Sequence, residues 1–462
     1  MRRTILMALV CVCAAAADAS AQQVQRPARP YRGLFGGGPP ADPNRTRSEL
    51  TFTGSLLVGH DSSVSPGGSG GAIDPTLERR SGGTLTGEGA LKYFHGRDRR
   101  SVSIDGRAVT LGYTGIGVDP TLGGYASLSG ETNLGRVMQL RLYQSFAYEP
   151  TLVLDSTTST GGLSPIAGVD APVAAPVGVT SGYLEQRSWS SNSSVSLDRR
   201  WTPRHTTQVV AGYLRSTFLD ELGYDTRSVS THASHSWQFA RTSTFRTLYS
   251  HNDSTSDASA SGLTTPMTHQ RIDASFGYAR RLSPTRHLSL SMGGGGTYVT
   301  TLNPATRADL NYWMPSGAGS LSVDLGRTWS VAANYLRGVS VLQSVSLTSF
   351  ATDSANVAVN GLVSSRIETS LTATYSNGQA GGANTRGRFE NYTGSLQVRY
   401  ALSRCCATAV NYDYYVYKFR DVADLSTDFL SNFDRQAIRV GFTLWLPLYG
   451  RYADGPARGR GN

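Results

Sequence analysis

Hydrophobic residues along this chain recur at every second position. The clearest run, Asp434 to Gly450, reads DRQAIRVGFTLWLPLYG; Ile438, Val440, Phe442, Leu444 and Leu446 share one face, and Ala437, Arg439, Gly441, Thr443 and Trp445 the other. A period of two is that of a strand, not a helix. One continuously apolar face against a mixed one suits a wall with lipid on one side and water on the other. A second clean run sets Met138, Leu140, Leu142, Phe146 and Tyr148 on one face and Gln139, Arg141, Tyr143 and Ser145 on the other. Similar runs begin at Leu50 and Leu85 and continue through the second half, while those near Val102 to Tyr113 and Tyr125 to Leu134 keep poorer phase. Together they predict about eighteen strands, within a range of sixteen to eighteen.

The connections alternate between short and long. Arg199 to His205 reads RRWTPRH and Arg280 to His287 reads RRLSPTRH, with Ser364 to Arg366 and Ser403-Arg404 in comparable places. Proline and polar residues are ordinary tight-turn chemistry; their recurrence at alternate connections marks one end as the short-turn end. Long polar loops are expected near Ser62, Thr160, Ser256, Ala305, Thr348, Gly381 and Ala423. An even strand number returns both chain ends to the same side. The expected fold is all-β: a single transmembrane antiparallel up-and-down β-barrel with short periplasmic turns and long extracellular loops. A secreted sandwich or propeller also alternates, but its strands run to about five or six residues, whereas many runs here reach ten or more, and no blade-length repeat occurs.

Composition sharpens the compartment. Arg2 and Arg3 precede an apolar core from Ile5 to Ala17 and a small-residue site, Ala19-Ser20-Ala21, which together read as a signal peptide and predict export. Cys11 and Cys13 each follow valine where lipidation needs a small residue, and both leave with the signal. The expected division is a signal peptide over 1–21, a flexible proline- and glycine-rich periplasmic arm over 22–48, the barrel over 49–450 and a tail over 451–462. No run of eighteen apolar residues follows the signal, which excludes a helical membrane protein. The mature part is rich in serine, threonine, glycine and tyrosine, with 51 glycines and 23 tyrosines in the whole chain. A mean hydropathy of -0.25 fits a barrel whose lumen and loops are polar. The formal charge of +10 carries no Lys/Arg block of the kind that binds nucleic acid. Tyr93, Tyr148, Trp189, Trp237, Tyr298, Tyr335, Tyr375, Tyr400, Tyr412 and Tyr414 fall near strand ends, as an aromatic girdle requires.

Candidate chemistry is sparse. No zinc-like spacing, phosphate loop or nucleophile elbow is present, so no cofactor, metal or catalytic residue is expected and the chain reads as a non-enzyme. Cys405 and Cys406 are adjacent at a predicted turn, open to pairing in an oxidising compartment. A hydrolase alternative would use His251, Asp253 and His269 at the outer lip; His232 and His235 flank Ser234, but alternation puts Ser234 on the opposite face from His235. Phase directs Glu88, Lys92, Arg141, Asp273, Asp324, Glu368, Arg399, Asp413 and Arg439 inward as pore-lining candidates. Their mixed signs imply weak charge selectivity, leaning toward anions.

Arg439, Gly441, Leu444 and Leu446 resemble the C-terminal assembly signal of bacterial outer-membrane barrels, which implies the barrel-assembly machinery as a partner; the tail after it departs from the usual form. The turn Tyr400-Ala401-Leu402-Ser403-Arg404, the serine-rich strands and the closing run resemble putative β-barrel porin families of Gram-negative outer membranes, some linked to exopolysaccharide export. The resemblance spans roughly Leu50 to Gly450. It implies outer-membrane lipid as solvent and small hydrophilic solutes as cargo. An export or accessory barrel for polysaccharide is an alternative, and a homo-oligomer is a further possibility.

Overall fold

The computed structural model describes Leu34 and residues 46–453, except 65–79, 115–119, 150–186, 220–223, 259–262, 303–307, 342–348, 381–386, 421–431 and single positions 98, 284 and 327. The signal peptide, Cys11, Cys13 and most of the arm and tail lie outside the described residues.

Eighteen antiparallel strands form one sheet that closes on itself. They are β1 (Thr46–Val64), β2 (Arg80–Arg97), β3 (Arg100–Thr114), β4 (Thr121–Asn133), β5 (Met138–Glu149), β6 (Ser188–Thr202), β7 (His205–Phe218), β8 (Tyr224–Trp237) and β9 (Ser243–Ala258). The second half is β10 (Leu263–Ser283), β11 (Arg286–Leu302), β12 (Asp309–Leu325), β13 (Trp329–Val341), β14 (Ser349–Ser364), β15 (Ile367–Ala380), β16 (Arg388–Ala401), β17 (Cys406–Arg420) and β18 (Asn432–Ala453). Each strand pairs with its sequence neighbours, and β18 pairs with β1 from Ala453 opposite Thr46 to Ala437 opposite Asp61. Closure removes the free edges that would otherwise expose unpaired backbone to lipid.

The strands outrun the predicted limits. Pairing reaches Thr46 and Ala453, outside the 49–450 interval, because each end residue finds its partner on the other strand of the seam. Likewise β1 includes Ser62 and β9 includes Ser256, two positions read as loops, since the ladder continues above the apolar band. The connections at one end are two to five residues long; those at the other range from the short step between Ala258 and Leu263, where the sequence predicts a long loop, to the stretch between Glu149 and Ser188. Gly135 and Gly326 occupy short turns at φ 88° and 81°, a region where a Cβ is strained. The start of β1 at Thr46 and the end of β18 at Ala453 both fall at the short-turn end, which is thereby the periplasmic one.

Outward residues are apolar and exposed: Leu56 and Val58 on β1, Ile272 on β10, and Ile438, Val440 and Phe442 on β18. A water-soluble protein seldom leaves apolar patches larger than a few hundred Å² uncovered, and here they encircle the barrel. All ten girdle aromatics stand on this outward face, where Tyr298 packs against Trp313 and Tyr375 against Tyr392, with ring centroids 5.2 and 4.9 Å apart. A closed, even-stranded barrel with such a surface is an outer-membrane protein architecture.

The wall is not evenly curved. Gly59 faces Arg439 and Gly441 faces Leu57 across the β18–β1 seam, while Gly293 faces Ser275 and Gly295 faces Asp273 across β10–β11. A Cβ at any of these inward positions would drive into the main chain of the neighbouring strand. The sheet therefore curves sharply inward at two seams that lie nearly opposite one another in the strand order.

Cys405 and Cys406 sit at the β16–β17 turn as free thiols, their Sγ atoms 3.3 Å apart. Ser403 Oγ accepts the N–H groups of both cysteines and lies 3.3 Å from Cys405 Sγ. Hydrogen bonding from Ser403 and then Cys406 holds the Cys405 thiol below the ordinary cysteine range. A membrane-impermeant maleimide is expected to label these thiols only after the outer membrane is permeabilised, and Cys405 is expected to react at lower pH than a free cysteine. Labelling on intact cells would place this turn on the wrong side.

Candidate functional site: the lumen wall

Opposite the exposed apolar residues, the inward face carries charge, and pairs of opposite sign meet across the ladder. Lys92 stands opposite Asp105 at 3.6 Å, and Glu88 meets Arg107 at 2.7 Å. Arg141 lies 3.8 Å from Glu131 and 3.3 Å from Asp198, bridging β4, β5 and β6. On β10, Arg271 and Asp273 are an ion pair two residues apart, and Ser316 donates to Asp273 at 2.6 Å. Glu368 faces Arg399 at 2.7 Å and also accepts the main-chain N–H of Leu34 at 3.2 Å. Leu34, within the stretch read as a free arm, is thus held at the periplasmic mouth. Arg439 binds Asp413 at 2.6 Å. Asp324 is inward at the periplasmic end of β12, opposite His287.

The most deeply set pair was missed by the sequence reading. Asp61 and Arg435 are both buried and joined through two guanidinium nitrogens, and Arg435 also donates to Tyr113 Oη at 3.0 Å. Asp61 adjoins Ser62, where the sequence predicts a loop, and 374 residues separate it from Arg435, so no local pattern links them. Asp105, Arg107, Glu131 and Asp198 share the parity of named candidates and could have been found from alternation alone.

A second inward patch is basic. His232 on β8, Arg246 on β9, and His269 and Arg271 on β10 share the lumen face. Arg246 donates to Ser234 Oγ at 2.9 Å and Gln208 Oε1 at 3.3 Å. This patch faces the wall that carries Asp61–Arg435 and Asp413–Arg439, about half the circumference away. Near the extracellular mouth the inward face turns apolar: Leu111, Phe218, Val299, Phe350, Phe389 and Phe419 are buried, with Phe350 edge-on to Phe389 at 5.3 Å.

The hydrolase constellation does not assemble. His251 Nε2 and Asp253 Oδ2 are 2.9 Å apart on the outward face, and Thr268 donates to Asp253. His269 has the opposite parity, paired with Asn252, and its side chain points to the lumen. One residue of parity separates the third member from the other two. Among the described residues, no group of three His, Cys, Asp or Glu side chains is arranged to hold a metal ion.

No family model matches the chain, and no curated protein matches it. Among solved structures it is similar to OpdQ of Pseudomonas aeruginosa, at 9% identity and a TM-score of 0.39 over 87% of this chain and 98% of that one. It is similar to OccAB3 of Acinetobacter baumannii, at 9% identity and a TM-score of 0.43 over 86% and 99%. The Pseudomonas aeruginosa OpdK structure with vanillate shows 10% identity and a TM-score of 0.40 over 87% and 99%. Such likeness carries no residue correspondence, and it lends no support to an exopolysaccharide exporter.

Proposed function

We propose that this protein is an outer-membrane pore for small hydrophilic solutes, narrow and only weakly charge-selective. The observation that carries this reading is the reversal of polarity through the wall: exposed hydrocarbon outside, and cross-strand ion pairs inside, from Lys92–Asp105 to Arg439–Asp413. Charged groups are costly to desolvate, so an inward face of this kind belongs to a hydrated or polar passage. Glu88, Lys92, Arg141, Asp273, Asp324, Glu368, Arg399, Asp413 and Arg439 are its proposed lining. Burial of inward residues such as Arg439 and Val299 favours a constricted passage over a wide water column. Partnered charges largely cancel, Arg271 with Asp273 among them, and the Arg246 guanidinium beside Ser234 and Gln208 leans the passage toward anions. Arg439, Gly441, Leu444 and Leu446 are proposed to present the assembly signal, two residues turned inward and two outward.

Planar-bilayer recording of the refolded protein tests the reading directly. Discrete small conductance steps are expected; a correctly folded barrel that stays silent at all voltages would overturn it. Arg246→Glu is expected to shift the reversal potential in a salt gradient toward cations. About 1 kcal/mol of altered Coulomb energy, the scale for a charge near 4 Å in water, changes the permeability ratio by about fivefold.

A further inference from the structure

We infer that Arg215 and Arg227, flanked by Ser191 and Thr255, form a site on the outer wall for the phosphate of a phosphorylated glycolipid in the outer leaflet. The four residues make one cross-strand row: Ser191 opposite Arg215, Arg215 opposite Arg227, and Arg227 opposite Thr255. All share parity with Val195, Tyr213, Val229 and Tyr249, which are exposed on the lipid side.

Their depth follows from strand geometry. Arg227 lies ten residues before Trp237 on β8, and Arg215 ten residues after His205 on β7. Ten residues of a tilted strand climb about 25 Å, the height of the apolar band. Trp237 and His205 mark the periplasmic border, so both arginines stand at the extracellular one, where headgroups begin.

Two like charges directly opposite on one face of a sheet repel, and no carboxylate of the described residues forms an ion pair that relieves them. No described carboxylate lies within ion-pair distance of either guanidinium, and Arg215 Nε is buried without a hydrogen-bond partner. The Arg215 guanidinium lies 5.1 Å from the centre of the Trp189 ring. The acids one step away on this face are all engaged: farther out, Asp225 accepts the Phe218 N–H at 2.9 Å and Asp257 accepts from Thr264 Oγ1 at 2.7 Å; one step toward the periplasm, Asp253 accepts from Thr268 Oγ1 at 2.7 Å and lies 2.9 Å from His251 Nε2.

A phosphate oxyanion seated between two guanidinium forks answers this arrangement, since planar forks match its oxygens two at a time. The hydroxyls of Ser191 and Thr255 lie at the two ends of the row as further donors. Below them Tyr213 and Val229 offer an apolar surface for acyl chains. That border selects a lipid-borne phosphate over a free one. The inference rests on the membrane placement of the barrel and is independent of whether the lumen conducts.

The test is native mass spectrometry of the full-length refolded protein with bisphosphorylated lipid A, with its dephosphorylated form of the same acyl composition, and with inorganic phosphate alone. The wild type is expected to retain the phosphorylated lipid about tenfold more tightly than the dephosphorylated one, roughly 1.4 kcal/mol. R215Q/R227Q is expected to lose that preference, and R215K/R227K to keep part of it. Equal retention of both lipids, an unchanged preference in R215Q/R227Q, or inorganic phosphate bound as tightly as the lipid would each overturn the inference. If the double variant does not fold, R227Q alone carries the comparison, because Arg227 is exposed on the wall. Conductance measured on the same samples separates this outcome from the pore reading.

Discussion

Gly441→Val is expected to stop the barrel from closing. The added Cβ meets the carbonyl oxygen of Leu56 and the Cα of Leu57 across the seam, and a strand already paired on both edges cannot move aside. Overpacking a dense interior costs about 1–3 kcal/mol where neighbours can adjust, and more where the obstacle is backbone. The folded, heat-modifiable band in gel electrophoresis should fall at least tenfold, and Gly295→Val should act likewise at the opposite corner, where its Cβ meets Ile272. Gly394→Val is the control: it lies in a strand of the same wall, but nothing stands within 4 Å of its added Cβ. Because valine is the better strand former, equal loss in all three variants would mean that any added side chain at a glycine of the wall is harmful, and that the two sharp corners are not special.

Asp61→Ala is expected to destabilise the barrel by about 3–5 kcal/mol, the scale for stripping one partner from a buried ion pair. Arg435 would keep its charge in a site where its own exposed fraction is 4% and that of Asp61 is 0%. The Tyr113 hydroxyl accepts one of its hydrogen bonds but cannot neutralise it. Asp61→Ala combined with Arg435→Met should recover a substantial part of the loss, because the uncompensated charge is gone. Urea unfolding of the four proteins in lipid vesicles closes the cycle. A double variant as unstable as the sum of the singles would show that the two residues act separately.

Strand identity was legible wherever one face stayed apolar throughout, as on β5 and β18. The phase blurred on β3 and β4 for a reason visible in the lumen: Val109 and Leu111 turn inward and are buried, while Gly106, Ala126 and Gly130 occupy outward positions. Hydrophobicity there changes sides, so alternation loses its contrast. The limits of β1 were missed because Ser62 is polar, and ladder bonds continue past the apolar band regardless of side-chain chemistry. The proposed triad failed because His251 and Asp253 share parity with each other and not with the cross-strand facing of His269.

Alternation, turn chemistry and the greasy face of each strand belong to neighbours in the chain, and the amino-acid sequence determined them by itself. Only the tertiary structure decided which strands meet and in what register, and thus that Asp61 finds Arg435, that Arg215 stands against Arg227, and that glycines line two sharp corners. A period of two says which way a side chain points but nothing about how far one strand slides along the next. That offset is set when the whole sheet closes, by pairs drawn from distant parts of the chain.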